Sequence, residues 1–349
     1  MEEYRDLALV IAWPDQTARG DERWMAFLKW AGIVKNLNFK VGHAAIILVN
    51  HRTGLLAYYD FGRYITPRGD GRARSASSDP RLTLSTRAQV DVDGTLTNLP
   101  AILSELHQKE DATHGGGRLF FSLADGLSFN KATRFADKLV DQGPIPYGAV
   151  APGNNSCSRF VAQVLLTGWE TGNPVKRRVK FPESLKPSPM SNVVNASPGR
   201  LVYCYSGGVL KSMRMTRWLS LRFQLDLLLH NLSTRKARDL PCDRKPGSIA
   251  EPQRPASIPA TAQWLGGIGE GAWYALEPGL EPDVLLVTKY GASGEPDYQV
   301  PCHTDAAFKL SLPYQFTYHC HYRQHLIIQN SRYFLLEICE HAKNYPRTA

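Results

Sequence analysis

The sequence predicts an α+β domain over residues 1–232, a linker over 233–262 and a small, mainly β domain over 263–349. Three observations carry this. The chain has 349 residues, 43% of them hydrophobic, which is more than one average domain needs and enough for two cores. Up to residue 232, apolar runs of strand length alternate with stretches of helical periodicity. Composition then shifts to a proline-, arginine- and serine-rich segment without periodicity. Short apolar or aromatic runs separated by turns follow it.

Leu7 to Trp13 is a continuous apolar run closed by Pro14 and reads as a buried strand. Asp21 caps a helix in which Trp24, Phe27, Leu28 and Ala31 recur at helical spacing, with Gly32 ending it. That stripe is expected in the core. Ala44–Val49 and Leu55–Phe61 flank a short turn and form a β-hairpin. The loop after it carries Arg63, Arg68, Arg72 and Arg74, expected to be solvated.

Helical patterns return over 102–110 and 129–140, the second broken by Gly143-Pro144-Ile145-Pro146. A third helix begins near Cys157, with Phe160, Val161, Val164 and Leu165 as its buried face, and ends at Gly168. Residues 176–191 are basic and proline-rich, hence extended. Leu201–Tyr205 reads as a strand. Met213–Leu232 reads as one helix, apolar nearly all round and so expected to be packed in rather than laid on a membrane. In the last domain, strands are expected over 273–276, 284–288, 308–312, 316–319, 326–329 and 333–338.

The formal net charge is +9, which favours an acidic partner or an anionic surface. There is no zinc finger, aromatic RNA-binding signature or long basic helix, hence no specific nucleic-acid signature. The start is polar and partly acidic, and no window is long enough to span a bilayer, so the expected location is cytoplasmic. Six scattered cysteines fit that compartment. Cys302-His303, His319-Cys320-His321, His325 and Cys339-Glu340-His341 are zinc-ligand types at spacings that match no standard site, so no metal or cofactor is expected.

The segment Pro146-Tyr147-Gly148 to Ser156-Cys157-Ser158-Arg159-Phe160-Val161 carries the chemistry. A cysteine nucleophile reacts as its thiolate, and the first turn of a helix favours that form through its free N–H groups. The Gly/Asn/Ser-rich loop delivers Cys157 to such a position, where the N–H of Cys157 or Ser158 can stabilise an oxyanion. A thiolate also needs an imidazole as base and acid. Gly42-His43 supplies one at the start of the hairpin. If the hairpin turns at 51–54, Asp60 lies diagonally across from His43 on the same face and can orient the ring. Asn155, Ser158 and Arg63 are the candidate substrate-binding residues.

These residues resemble the nucleophile segment of NlpC-type papain-like cysteine peptidases, in which a Tyr-Gly stretch precedes a cysteine at a helix start. The resemblance implies that Tyr147 helps bind the oxyanion. Ser156 stands where that family has an acid, and Arg159 where it has glycine. The histidine precedes the cysteine, an order that resembles the circularly permuted branch. That branch includes lecithin:retinol acyltransferase-like enzymes with an Asn-Cys-x-x-Phe-Val motif, which Asn155 to Val161 matches with one inserted residue. A permuted papain-like catalytic domain is the expected fold. The expected activity is a thiol-dependent amidase or peptidase working through an acyl-enzyme. The alternatives are a lipid acyltransferase or thioesterase, and an inactive papain-like module that binds an acidic partner.

Overall fold

The computed structural model describes residues 4–21, 23–148, 151–184, 186–244 and 247–339. In chain order the elements are β1 (Asp6–Trp13), β2 (Thr17–Arg19), α1 (Arg23–Trp30), β3 (Asn38–Lys40), β4 (His43–Val49), β5 (Leu56–Gly62), β6 (Asp70–Ser75), α2 (Leu99–Gln108), α3 (Glu110–Thr113), β7 (Leu119–Leu127) and α4 (Phe129–Gln142). There follow β8 (Ile145–Pro146), α5 (Cys157–Gly168), α6 (Pro174–Lys180), α7 (Pro189–Ala196), β9 (Leu201–Ser206), β10 (Val209–Arg214), α8 (Arg217–Leu229) and α9 (Thr234–Ala237). The last seven are β11 (Gln263–Leu265), β12 (Ala272–Pro278), β13 (Val284–Tyr290), β14 (Pro296–His303), β15 (Gln315–His321), β16 (Gln324–Gln329) and β17 (Arg332–Ile338).

The chain divides into two compact units. The first takes in the described residues of Met1–Phe61, Leu82–Leu139 and Gly148–Lys245, the second those of Gly62–Arg81, Val140–Tyr147 and Pro246–Ala349. The stretch 233–262 is thus shared between them. It contains α9 and Asp243, whose carboxylate accepts hydrogen bonds from Lys29 Nζ at 2.6 Å and from the backbone N–H of Leu37. Burial raises the Asp243 pKa, but these partners outweigh it and hold the carboxyl below the usual range. A depressed carboxylate stabilises the fold above its unfolded pKa, and that contribution is lost as pH falls through the folded value. Asp243→Ala is expected to cost about 2 kcal/mol, a charged hydrogen-bond set lost at a buried site. Urea midpoints at pH 7 and pH 3 check this: the gap between the variant and the parent should narrow at the lower pH.

In the first unit the strand order is β10-β9-β7-β1-β4-β5, and these neighbours are antiparallel. β1 is unbroken in its apolar sequence because both of its faces are covered. Leu7, Leu9, Ile11 and Trp13 join Ile102, Leu103 and Leu106 of α2 in one core. Each such side chain contributes roughly 1.5–3 kcal/mol when fully buried. α7 packs on β1 and β7 and is buried on every side.

The prolines of 176–191 start helices rather than extending the chain. Asn173 caps α6 with Pro174 in its first turn, and Ser188 caps α7 with Pro189 likewise. Met213 and Arg214 belong to β10, joined to β9 through Gly207-Gly208, both at positive φ as a tight hairpin turn demands. Helix α8 begins only after Thr216 caps it. Two expectations of burial are corrected here. Trp24 and Phe27 of α1 are exposed, and in α8 only Ser220 and Leu227 are buried. Periodicity marks a face but not what covers it.

The second unit is barrel-like. Its seven strands run in the order β11-β12-β13-β14-β17-β16-β15. The Gln263 side chain on β11 joins the two ends, donating to Tyr314 O at 2.8 Å and accepting from Phe316 N at 2.9 Å. β14, interrupted by Pro296 and Pro301, and the short β11 did not stand out in the sequence. The run 308–312 forms a turn held by Gln329. The arginine loop is also corrected. Arg72 and Arg74 lie on β6 and are buried. Arg72 donates to the carbonyls of Ile65, Tyr318 and Cys320, and Arg74 stacks 3.5 Å above the Tyr64 ring. No three His, Cys, Asp or Glu side chains converge to hold a metal among the described residues. His325 is instead hydrogen-bonded to the Tyr298 hydroxyl at 3.1 Å. Cys339 is described, and Glu340-His341 lies outside the described residues.

Candidate active site

Cys157 is the first residue of α5. Ser156, extended at φ −148°, caps the helix by accepting from Arg159 N. Asn155 holds the approach, its Oδ1 accepting from Ser156 N at 2.9 Å and its Nδ2 donating to Gln163 Oε1 at 2.9 Å. The loop closes where Gly148 N meets Asn155 O at 2.8 Å. Asn192 of α7 donates to Ser158 O at 2.8 Å, fixing the first turn from the other side. Phe160 stacks on Phe61 of β5 with centroids 6.1 Å apart. The Cys157 sulfur therefore sits at a helix N-terminus anchored from three directions.

His43 opens β4, directly opposite Trp13 in the β1 pairing. Gly42 makes that entry possible. Its φ is +76°, and a Cβ there would meet Pro14 Cα and Trp13 O at 3.0 Å. The Trp13 and His43 rings lie 5.8 Å apart and 12° from parallel. In the β4–β5 pairing Ala45 faces Asp60, so Asp60 stands diagonally across from His43 on one face of the hairpin. His43 Nε2 is 3.4 Å from Asp60 Oδ2. The ring also hydrogen-bonds Cys157. Asp60 is fully buried, and Tyr58, two residues earlier on the same strand, donates to its Oδ2 at 3.1 Å.

The electrostatics follow from this chain. Burial disfavours the charged imidazole, but Asp60 and Cys157 outweigh it and push His43 up to about 9. Burial likewise raises the thiol. His43, the Ser158 hydroxyl and the backbone N–H of Ala44 outweigh it, holding Cys157 below the ordinary cysteine range. The remaining shifted thiols go the other way, with burial pushing up Cys204, Cys302, Cys320 and Cys339. Such a set can hold a thiolate beside an imidazolium and hand a proton to a leaving group.

The structure thus gathers Cys157, His43, Asp60 and Ser158, whose Oγ lies 3.7 Å from the sulfur. Asn155 spends its amide on the loop. Tyr147 and Arg63 belong to the second unit, where the Arg63 guanidinium lies 4.7 Å over the Tyr147 ring. Tyr58, Trp13 and the Ala44 N–H were missed in the sequence. Tyr58 had a signal in its i, i+2 relation to Asp60. Trp13 had none until the β1–β4 register was known.

No curated protein matches the chain. Among solved structures, the crystal structure of the type VI secretion system effector TseH aligns at 19% identity and a TM-score of 0.40, over 60% of this chain and 98% of that one. A family model described as DUF6695 C-terminal domain matches residues 262–339. A second, described as type VI secretion system effector TseH-like, matches residues 8–173. The segment that holds Cys157, His43 and Asp60 is therefore similar to the TseH-like type VI secretion effectors.

Proposed function

We propose that this chain is a thiol-dependent hydrolase of the permuted papain-like kind, with amide bonds as its first substrate class. The observation that carries the reading is the hydrogen-bonded chain Cys157–His43–Asp60, with its sulfur at a capped helix start. In this mechanism the thiolate adds to the carbonyl carbon. N–H groups of the first turn receive the oxyanion. His43 protonates the leaving amine, then takes a proton from the water that cleaves the acyl-enzyme. Asp60 keeps the ring turned toward the sulfur. The role of Tyr147 at the oxyanion rests on the family resemblance, and that of Arg63 at the substrate on its place in a basic loop.

The TseH-like match over residues 8–173 supports a further step, that the chain is made in the cytoplasm and acts as a type VI secretion effector. Such a delivery route would bring the chain to cell-wall peptide, one amide-bearing substrate.

Thiol reactivity separates this enzyme from an inactive binding module. A depressed thiol is ionised above its own folded pKa, so iodoacetamide should modify Cys157 at a pH below the ordinary cysteine value of about 8.5. The raised imidazole keeps its proton, and its stabilising charge, until pH climbs through about 9. The ion pair therefore spans the window between the two. At pH 7 Cys157 should react faster than the exposed Cys242, and His43→Ala should slow it roughly tenfold or more. Equal rates at Cys157 and Cys242 would refute the assignment. Intact-mass trapping of an acyl adduct, across amide, ester and thioester libraries, then chooses between hydrolysis and the lipid-acyl alternative.

A further inference from the structure

The stretch between the two family-matched segments has its own character. Residues 174–240 hold thirteen lysines and arginines against three acidic residues, a surplus of ten where the whole chain has nine. The chain's net positive charge is concentrated here. Lys211 and Arg214 of β10, Arg222 of α8, Arg235 and Lys236 of α9, and Arg238 just past it are all exposed. Arg178 donates to the carbonyls of Ser197 and Pro198. Burial and the nearby guanidiniums of Arg200 and Arg217 push its pKa below the ordinary arginine value, as expected in a surplus of positive charge.

Within the same stretch α8 is turned inside out. At helical spacing, Trp218, Arg222, Leu225 and Leu229 form one outward stripe, and all four are exposed, Trp218 by 68%. The inward side holds Ser220, Phe223, Gln224 and Leu227. Of these, Phe223 packs on Phe120, and Gln224 bonds to Ser220. The outward face is thus at least as apolar as the inward one, the reverse of an ordinary surface helix.

Helix α1 repeats the arrangement, with Trp24, Phe27 and Trp30 outward and Trp30 82% exposed. Asn231, just past α8, ties the two together. Its side-chain oxygen accepts from the backbone N–H groups of Lys35 and Asn36, just past α1. The segment that follows α1 is therefore fastened to the end of α8.

We propose that α1, α8 and β10 form an interfacial surface that seats on an anionic lipid bilayer. Exposed tryptophans and leucines set among lysines and arginines are what the boundary between headgroups and acyl chains accommodates. The rings and aliphatic chains enter the boundary, and the cations stay with the phosphates. An acidic protein would engage the charge but leaves the outward leucines unexplained.

The test is vesicle pelleting with the full chain. Vesicles of mixed phosphatidylglycerol and phosphatidylcholine are compared with phosphatidylcholine alone at low salt. Binding is expected to the anionic vesicles. Lys211→Glu/Arg214→Glu/Arg222→Glu should weaken it roughly tenfold or more. Trp218→Ser/Leu229→Ser, with charges intact, should weaken it comparably. An unchanged Cys157 alkylation rate shows that each variant is folded. The proposal is overturned by failure to pellet with anionic vesicles, or by pelleting that neither set of substitutions affects. It is also overturned by concentration-dependent dimers that Trp218→Ser/Leu229→Ser dissolves without vesicle binding, which would assign the surface to a second copy. Retention on immobilised polyglutamate that matches vesicle binding and ignores the apolar substitutions would assign it to an acidic protein.

Discussion

Cys157→Ala, His43→Ala and the double variant should be about equally inactive on any substrate the enzyme turns over, each reduced by roughly 10³-fold or more in kcat. Residues that act as one unit lose their effects non-additively, since removing either leaves the other nothing to do. Asp60→Ala should be milder, because an orienting carboxylate biases the ring without bonding to the substrate. It also strips the imidazolium of one of its two counter-charges, so the upper limb of the pH profile should move below about 9. Asp60→Asn tests that point with little change of shape. Steady-state assays from pH 5 to 10 check all five variants. If His43→Ala keeps near-normal turnover while Cys157→Ala is dead, the base lies elsewhere.

Gly267→Ala should unfold the second unit at far lower temperature than the parent. A Cβ at that position would lie 1.6 Å from the carbonyl oxygen of Tyr64 and 2.6 Å from that of Glu270. Both obstacles are backbone, so no rotamer change relieves them. Overpacking a site that can adjust costs about 1–3 kcal/mol, and this one cannot adjust locally. We expect a loss of at least about 3 kcal/mol and a fall in melting temperature on the order of 10 °C. Gly199→Ala is the control. Nothing lies within 4 Å of its added Cβ, and its effect should stay within about 0.5 kcal/mol. Calorimetry of the two variants decides the matter.

What was legible in the sequence was what local chemistry writes there. The unbroken run of β1, the hairpin register that sets Asp60 diagonal to His43, and the start of α5 at Cys157 each follow from patterns within a few residues. The burial errors share one cause. For α1 and α8 the pattern is amphipathic or apolar, but the apolar face stays exposed among the described residues. For Arg72 and Arg74, glycines and serines around them suggested a solvated loop. Arg72 instead finds its carbonyl acceptors on a strand that begins at residue 315. Long-range partners of that kind leave no trace in a local window. Trp13 against His43 was hidden for the same reason.

The way the second unit is drawn from three separate stretches has a consequence for synthesis on the ribosome. Arg72 and the Tyr318 carbonyl that receives it are 246 residues apart. At ordinary rates of translation that gap is on the order of tens of seconds. Through that interval Arg72 must wait with two of its carbonyl acceptors, Tyr318 and Cys320, not yet made. The nascent chain can complete the β10-β9-β7-β1-β4-β5 strands first, because they end by residue 214. The barrel-like unit is therefore the last to assemble. A ribosome that stopped short of β15 would release a chain with Cys157 and His43 present and an arginine that has lost two of its carbonyl acceptors. Quality-control proteases would meet that truncated product at residues 62–81.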